Sequence, residues 1–130
     1  MSAPLIDALL QGDALVLDPD MPIRRAVAKL VEHRAPAAAV IDDSGALSGI
    51  LTQKDCFRPA LQASYYQEWK GTVADHMSRG VISLAAGTDL ISAAEAFLCH
   101  PHRVMPVLDG DNLRGMLRRS DVLAALVRLG

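Results

Sequence analysis

Two segments of the chain carry apolar residues at the spacing of an amphipathic helix, and both use the same offsets. The first starts at Ile23 and places apolar residues three, four, seven and eight positions later, ending at Val31. The second starts at Leu90 and repeats those offsets up to Leu98. This spacing puts one apolar stripe along each helix. Pro22 suits the first turn of the first helix, because a proline there loses no helical hydrogen bond.

Each predicted helix leads into a β-hairpin, and a second helix follows each hairpin. The hairpin turns are rich in Asp, Asn, Ser and Gly, which supply the backbone freedom that a tight turn needs. A short helical segment and a short strand come before each amphipathic helix. The predicted strands are 14–17, 37–41 and 47–51 in the first half, and 81–84, 104–108 and 113–117 in the second. The order β-α-β-β-α, found twice, predicts an α+β fold with two small sheets packed together.

The two halves also repeat at the level of single residues. Segment 49–55, with the sequence GILTQKD, returns at 115–121 as GMLRRSD. We therefore assign residues 1–61 to a first repeat, 62–71 to a linker and 72–130 to a second repeat of one compact module. A single unit of about 60 residues buries too little apolar surface to be stable alone, so the repeats are expected to pair.

The linker holds both tyrosines and the single tryptophan of the chain, Tyr65, Tyr66 and Trp69. Two interpretations stay open. The rings can cover an edge of the core, which is the ordinary role of linker aromatics. They can also form a surface for a partner, because clustered exposed aromatics mark interfaces.

Composition narrows the possible functions. Hydrophobic residues make up 51% of the 130 positions and aromatic residues only 4%, which indicates an aliphatic core. The formal net charge of −2 gives no basic surface for nucleic acid. No apolar run approaches the roughly 20 residues that span a bilayer, and no signal peptide is evident. We expect a soluble cytoplasmic protein that binds neither nucleic acid nor membrane.

The two cysteines, Cys56 and Cys99, follow no metal or redox spacing, so we expect buried reduced thiols. His100 and His102 lie next to Cys99, but adjacent residues rarely converge on one ion, so we expect no metal site. No nucleophile and base stand at a spacing that suggests catalysis, so we expect no enzyme.

Segment 49–55 carries the candidate chemistry. Gly49 lets another backbone or a flat ligand come close, because it has no Cβ. Thr52 ends a predicted strand with a hydroxyl that can donate to a phosphate oxygen, and Asp55 opens the next helix. A carboxylate at that place can accept both hydroxyls of a ribose. Thr and Asp at a helix start are more often caps, and only the recurrence of the same element after the same strand of the second repeat favours a ligand site.

With these residues the chain resembles a tandem pair of cystathionine-β-synthase (CBS) domains, the module often called a Bateman domain. The resemblance covers residues 5–126 and rests on the pattern Gly-hydrophobe-x-Thr/Ser-x-x-Asp after a hydrophobe-Pro-Val-hydrophobe-Asp strand. Segment 105–109, MPVLD, fits that strand, and segment 38–42 fits it without the proline. The resemblance implies pseudo-twofold packing of the repeats and two clefts. It also implies an adenosine-containing ligand such as AMP, ADP, ATP, S-adenosylmethionine or a dinucleotide. Such modules regulate an attached or associated enzyme or transporter, and they often form disc-like dimers.

The resemblance also assigns individual residues. It implies that Asp55 binds the ribose hydroxyls, Thr52 a phosphate, and Asp121 the ribose of the second cleft. The residues that would line the adenine slots are Ala38, Ala39, Val104 and Met105. The first strands would add Val16 and Ile82. Arg118 departs from the family pattern, which has Thr or Ser there. Together with Arg119, and with Arg103 just before the preceding strand, it can bind phosphate, or it can instead fill the second cleft and abolish it.

The first functional hypothesis is a stand-alone regulatory module that senses an adenine nucleotide or S-adenosylmethionine, requires no cofactor and signals to a partner. The alternative is a dimerising scaffold with degenerate clefts. The last helix, 122–127, is apolar almost all round, which predicts burial by the core or by a second copy in a homodimer. Pro59 predicts that the equivalent helix of the first repeat is short or bent.

Overall fold

The computed structural model describes residues 4–10 and 14–129, and this part of the chain contains five α-helices and six strands. A 3-10 helix, Ile6–Leu9, comes first. The strands are β1 Val16–Leu17, β2 Ala37–Ile41, β3 Leu47–Thr52, β4 Leu84–Ala85, β5 Val104–Asp109 and β6 Asn112–Arg118. The helices are α1 Ile23–Glu32, α2 Gln53–Tyr66, α3 Val73–His76, α4 Leu90–Cys99 and α5 Arg119–Leu129.

The strands form two three-stranded sheets of the same topology, which confirms the predicted α+β class. In the order β1-β2-β3, the first pair is parallel and the second is the antiparallel hairpin, and β4-β5-β6 repeats this arrangement. The register of both hairpins shifts at the same place, between Val40 and Ile41 and between Val107 and Leu108. The parallel pairs need α1 and α4 as crossover helices, as the repeated pattern predicts.

The chain divides into two compact units that differ from the sequence repeats at their edges. Residues 15–81 form one unit, and residues 82–129 form the other together with the described residues that precede position 15. In the second unit the backbone N–H of Ile6 donates to the carbonyl of Thr88 at 2.9 Å, and Ile6 is fully buried. In the first unit Val73 donates to the carbonyl of Met21 at 2.9 Å. The short helical segment that opens each sequence repeat thus folds with the opposite repeat.

The core of each unit is aliphatic, as the composition predicts. In the unit of residues 15–81, the apolar face of α1 packs against the sheet. The buried residues of this core include Leu17, Ile23, Ala26, Leu30, Ala38, Val40 and Leu51. The predicted apolar stripes of α1 and α4 extend further along each helix than the buried faces do. Val31 is 67% exposed and Leu98 is 86% exposed, so the last residue of each stripe lies at the surface.

One local prediction is wrong, and one of the two alternatives given for the helix with Pro59 is excluded. Strand β4 begins at Leu84, so Ile82 precedes the strand on which it was expected. Helix α2 runs without interruption from Gln53 to Tyr66 and contains Pro59, so it is not short. A proline at that position removes only the bond to the carbonyl of Asp55, and its fully buried ring packs into the unit. Within the described residues, no helix combines the length and apolar character that crossing a bilayer requires.

Candidate functional site

The junction between β3 and α2 holds Thr52 and Asp55 in a reciprocal cap. The backbone N–H of Asp55 donates to the Thr52 hydroxyl oxygen at 3.0 Å, and the N–H of Thr52 donates to Asp55 Oδ2 at 3.0 Å. This capping box satisfies two backbone donors at the start of α2. The interpretation of Thr52 and Asp55 as caps is therefore confirmed.

Capping leaves both side chains with unused hydrogen-bonding capacity. The Thr52 hydroxyl acts only as an acceptor, and its own proton meets no acceptor in the part of the chain that the structure describes. The Asp55 carboxylate is half-buried and has several lone pairs, of which the cap uses one. The same Thr-x-x-Asp spacing recurs at Thr72 and Asp75, where the N–H of Thr72 donates to Asp75 Oδ2 at 2.8 Å. The spacing by itself therefore indicates a helix cap. A ligand site at Asp55 must be recognised from the residues that surround its carboxylate.

Ser78 is the residue that distinguishes this cap, and the sequence reasoning missed it. Its hydroxyl donates to Asp55 at 3.2 Å from Oδ2 and 3.4 Å from Oδ1. Ser78 follows α3, 23 positions beyond Asp55, and no local pattern links the two. The backbone of Ser78 pairs with Ile50 of β3 in an isolated antiparallel bridge. The tertiary fold therefore brings a second donor to the carboxylate.

Gly49 permits this approach. A Cβ at position 49 would lie 2.7 Å from the carbonyl oxygen of Ser78 and 2.8 Å from the sulfur of Met77. At such distances a neighbouring atom would have to shift, so glycine is the residue that fits here without displacing the Ser78 backbone. The expectation that Gly49 admits another backbone is confirmed, and the backbone is that of Ser78.

The register of the sheet sorts the other predicted residues of this unit onto two faces. Val16 pairs with Ala39, and Ala37 pairs with Thr52, so these four side chains share one face. Ala38 pairs with Leu51 and belongs to the hydrophobic core, on the other face. The structure thus groups Val16 and Ala39 with Thr52, and it separates Ala38 from them.

The second unit places cations at the equivalent junction. Arg118 ends β6 opposite Val104, and the N–H of Arg119 donates to the carbonyl of Arg103 at 2.9 Å. The three arginines are exposed and form no ion pair with any other described residue. Asp121 lies in the first turn of α5 and is half-buried.

The remaining predicted residues of this unit lie apart from those cations. Met105 pairs with Leu117, on the face of β5 opposite to that of Val104, and it is fully buried. Ile82 lies outside the sheet, two residues before β4. The register thus groups only Val104 with Arg118.

The two cysteines differ in their environments. Burial raises the pKa of the Cys56 thiol to about 11, and the negative charge of Asp55 adds to the rise. Its S–H donates to the carbonyl of Thr52 at 3.3 Å, so Cys56 is a structural thiol, as expected. Cys99 is exposed, so the expectation of burial is wrong for it. His100 and His102 stack edge to face with ring centroids 5.8 Å apart, and the described residues contain no cluster that suits a metal ion.

The linker aromatics divide between the two interpretations. Trp69 is partly buried against the core of its unit, which is the ordinary covering role. Tyr65 and Tyr66 lie at the end of α2 and are 80% and 76% exposed. Residues 62–66 are therefore helix rather than linker, and the two tyrosines belong to the surface.

Comparison with known families identifies the class to which this fold and this site belong. Residues 6–60 and 73–128 each match the family model of the CBS domain. The chain therefore belongs to the CBS domain family, and it carries two copies of the domain.

Among the curated proteins with detectable sequence similarity are one from Bacillus subtilis and one from Acidianus ambivalens. YtoI of Bacillus subtilis (strain 168) is 34% identical over 88 residues, which cover 67% of this chain and 18% of YtoI. A 17.7 kDa protein of Acidianus ambivalens is 24% identical over 113 residues, or 86% of this chain and 66% of that protein. The chain thus spans less than two thirds of either relative.

Solved structures match over nearly the whole chain. The CBS-pair protein CBSX2 of Arabidopsis thaliana is 25% identical with a TM-score of 0.83, covering 98% of this chain and 97% of that one. CBSX2 in complex with AMP is 25% identical with a TM-score of 0.82, covering 97% and 98%. The CBS pair of MJ0100 in complex with 5′-methylthioadenosine and S-adenosyl-L-methionine has a TM-score of 0.83 at 20% identity, covering 98% and 99%. At that identity the MJ0100 likeness shows the fold alone.

Proposed function

We propose that this chain is a regulatory module that binds an adenosine-containing nucleotide, catalyses no reaction and signals to a partner. The observation that carries the proposal is the junction at Thr52 and Asp55. It combines a hydroxyl whose proton meets no acceptor among residues 4–10 and 14–129 with a half-buried carboxylate at the start of a 14-residue helix. Family membership supports the proposal, and so does CBSX2, a relative at 25% identity that has been solved in complex with AMP.

In the unit of residues 15–81 we assign the ribose to Asp55 and a phosphate to Thr52. A carboxylate can accept both hydroxyls of a vicinal diol, and a hydroxyl donor near a helix N-terminus suits a phosphate oxygen. Val16 and Ala39 share the face of Thr52, which favours them for the adenine ring. Ala38 lies on the opposite face of β2, where it packs in the hydrophobic core of the unit.

In the other unit we assign the phosphates to Arg118 and Arg119, with Arg103 beside them, and the ribose to Asp121. A guanidinium can donate two parallel hydrogen bonds to a phosphate, which a threonine cannot. Exposed cations that have no ionic partner among the described residues suit an anionic ligand better than they suit a side chain that fills a pocket. We therefore expect this unit to prefer ligands with more phosphates.

The nucleotide proposal is tested by thermal melts of the purified chain with AMP, ADP, ATP, S-adenosylmethionine and NADH. A true ligand at a hundred times its Kd adds about 2.7 kcal/mol of stability, or roughly 10 °C for a domain of this size. Asp55→Ala should abolish the shift from the first unit. Asp43→Ala is the matched control, because Asp43 is an exposed turn carboxylate of the same unit. A full shift in the Asp55 variant contradicts the site assignment.

We further propose that the chain forms a homodimer through apolar faces that recur in both units. Helix α1 packs beside α2, and α4 beside α5. Three side chains on each pair are exposed at equivalent repeat positions: Val31, Phe57 and Leu61 on one, and Leu98, Leu123 and Val127 on the other. Their exposures run from 55% to 86%, which is unusual for residues of this size. A second copy is the partner that this duplication favours, because equal patches suit a self-complementary contact.

Sedimentation of the wild-type chain tests the dimer. A dimer at micromolar concentration is expected, and the double variant Phe57→Asp/Leu123→Asp should sediment as a monomer with unchanged helical content. Tyr66→Asp is the control, because Tyr66 lies outside the repeated set. A monomeric wild-type chain refutes the homodimer.

The regulated partner is proposed as an enzyme or transporter acting in trans in the cytoplasm. The alternative function is a dimerising scaffold whose ligand sites are degenerate, which the exposed apolar faces and Arg118 favour. The two functions separate in the melts. A dimer that no nucleotide stabilises supports the scaffold, and a nucleotide shift abolished by Asp55→Ala supports the regulatory module.

A further inference from the structure

Asp55 receives hydrogen bonds from two segments that are distant in sequence. The N–H of Thr52 approaches Oδ2 at 3.0 Å from the start of α2. The Ser78 hydroxyl approaches the carboxylate from the segment after α3, at 3.2 Å from Oδ2 and 3.4 Å from Oδ1. No other described residue donates to this carboxylate.

The backbone of Ser78 is fixed where it makes this contact. Its N–H donates to the carbonyl of Ile50 at 2.8 Å, and the N–H of Ile50 donates to the carbonyl of Ser78 at 2.9 Å. Gly49 adds a close backbone contact on the same side, because a Cβ there would meet the Ser78 carbonyl. The hydroxyl therefore starts from a backbone position that two hydrogen bonds hold against β3.

Two donors from different directions set the rotation of the carboxylate plane. The terminal torsion of an aspartate is broad, so one donor alone leaves the plane free to turn. The Ser78 hydroxyl is shared between both oxygens, which holds the plane near one orientation. Oδ2 accepts from both Thr52 and Ser78, so the acceptor sites that remain for further donors are mainly those of Oδ1, since an ionised carboxylate accepts about four hydrogen bonds in all. A vicinal diol needs two such acceptors, correctly oriented at the same time.

We propose that Ser78 is a positioning residue that orients Asp55 for the two ribose hydroxyls and so makes the site select ligands with an intact diol. The inference rests on the proposed function, because it concerns how Asp55 binds the nucleotide. In this proposal Ser78 acts through Asp55 and does not itself bind the ligand. Its loss should therefore affect only ligands that use the carboxylate.

The test is isothermal titration of the full chain with AMP and with 2′,3′-dideoxy-AMP, which lacks both hydroxyls. Ser78→Ala should weaken AMP binding about fivefold, the usual net effect of one hydrogen bond, and should leave the dideoxy compound unchanged. Ser78→Thr restores a hydroxyl and should recover AMP affinity. Ser64→Ala is the control, because the Ser64 hydroxyl donates only to the carbonyl of Ala60 on the surface of α2.

The other outcomes overturn either the role of Ser78 alone or the proposed nucleotide function together with it. An equal loss for both compounds means a merely structural role and overturns the proposal for Ser78. Unchanged or tighter AMP binding in Ser78→Ala overturns it as well, because the hydroxyl would then be idle or in competition with the diol. A wild-type chain that binds neither compound overturns the proposed nucleotide function and the role of Ser78 with it.

Discussion

Replacing Gly49 by alanine adds one methyl group at the most crowded backbone contact described above. The new Cβ would lie 2.7 Å from the carbonyl oxygen of Ser78, which cannot move without breaking its bridge to Ile50. The sulfur of Met77, at 2.8 Å, is the end of a flexible side chain and can give way. The strain of Gly49→Ala therefore falls on the segment after α3, which carries the Ser78 hydroxyl to Asp55.

The expected loss follows from two opposing effects. Overpacking a tight site costs about 1–3 kcal/mol. Replacing a glycine by alanine also stabilises the folded state by about 0.4–1 kcal/mol, because it restricts the unfolded chain. This gain applies at position 49, because the backbone of Gly49 is not in a region that only glycine adopts. The net loss of unfolding free energy should be about 1–2 kcal/mol, or roughly 4–8 °C in Tm.

The measurement is urea and thermal denaturation followed by far-ultraviolet circular dichroism. Gly80→Ala is the matched control, because a Cβ at position 80 meets no atom within 4 Å and Gly80 lies two residues beyond the same contact. Its Tm should stay equal to that of the wild type or rise slightly. If Gly49→Ala is as stable as Gly80→Ala, the packing argument for this segment is wrong.

Four further predictions concern the core, the two thiols and the second unit. Leu51→Ala removes a fully buried side chain and should cost about 2–5 kcal/mol in a urea titration; a loss below 1 kcal/mol would contradict its place in the core. In the native chain at pH 8 a thiol reagent should label Cys99 and spare Cys56, whose pKa is raised to about 11, until the chain is unfolded. Because the unfolded thiol ionises near 9.0 and the folded one near 11, the contribution of Cys56 to stability is intact below pH 9 and declines between pH 9 and 11. Cys56→Ala should lack that decline. Arg118→Thr should weaken ATP binding more than adenosine binding, and the difference should shrink as salt is raised; equal loss for both ligands would remove the phosphate role.

Local patterns in the sequence determined the number, type and order of the elements. The 3.6-residue period of α1 and α4, the turn residues of the hairpins and the recurrence of segment 49–55 at 115–121 each depend on neighbours a few positions apart. The same local logic indicated Thr52 as the residue at the start of α2. These features could be predicted because helix periodicity, turn chemistry and capping are properties of short stretches of chain.

Strand register and long-range packing decided what surrounds Thr52 and Asp55. Ala38 and Ala39 are adjacent and chemically identical, and only the pairing with β3 assigns Ala39 to the face of Thr52 and Ala38 to the core. Pro59 sits inside a continuous helix because its ring is buried by the folded unit, which no helix propensity reports.

The contact between Ser78 and Asp55 is the clearest case of a feature that only the tertiary structure decided. It joins residues 23 positions apart through a bridge to β3, and the absence of a side chain at Gly49 makes room for it. The sequence by itself indicated a glycine, a hydroxyl and a carboxylate in a repeated motif. Which donor orients that carboxylate depends on where the chain returns after α3, and that path is set by the packing of the whole unit rather than by any neighbouring residue.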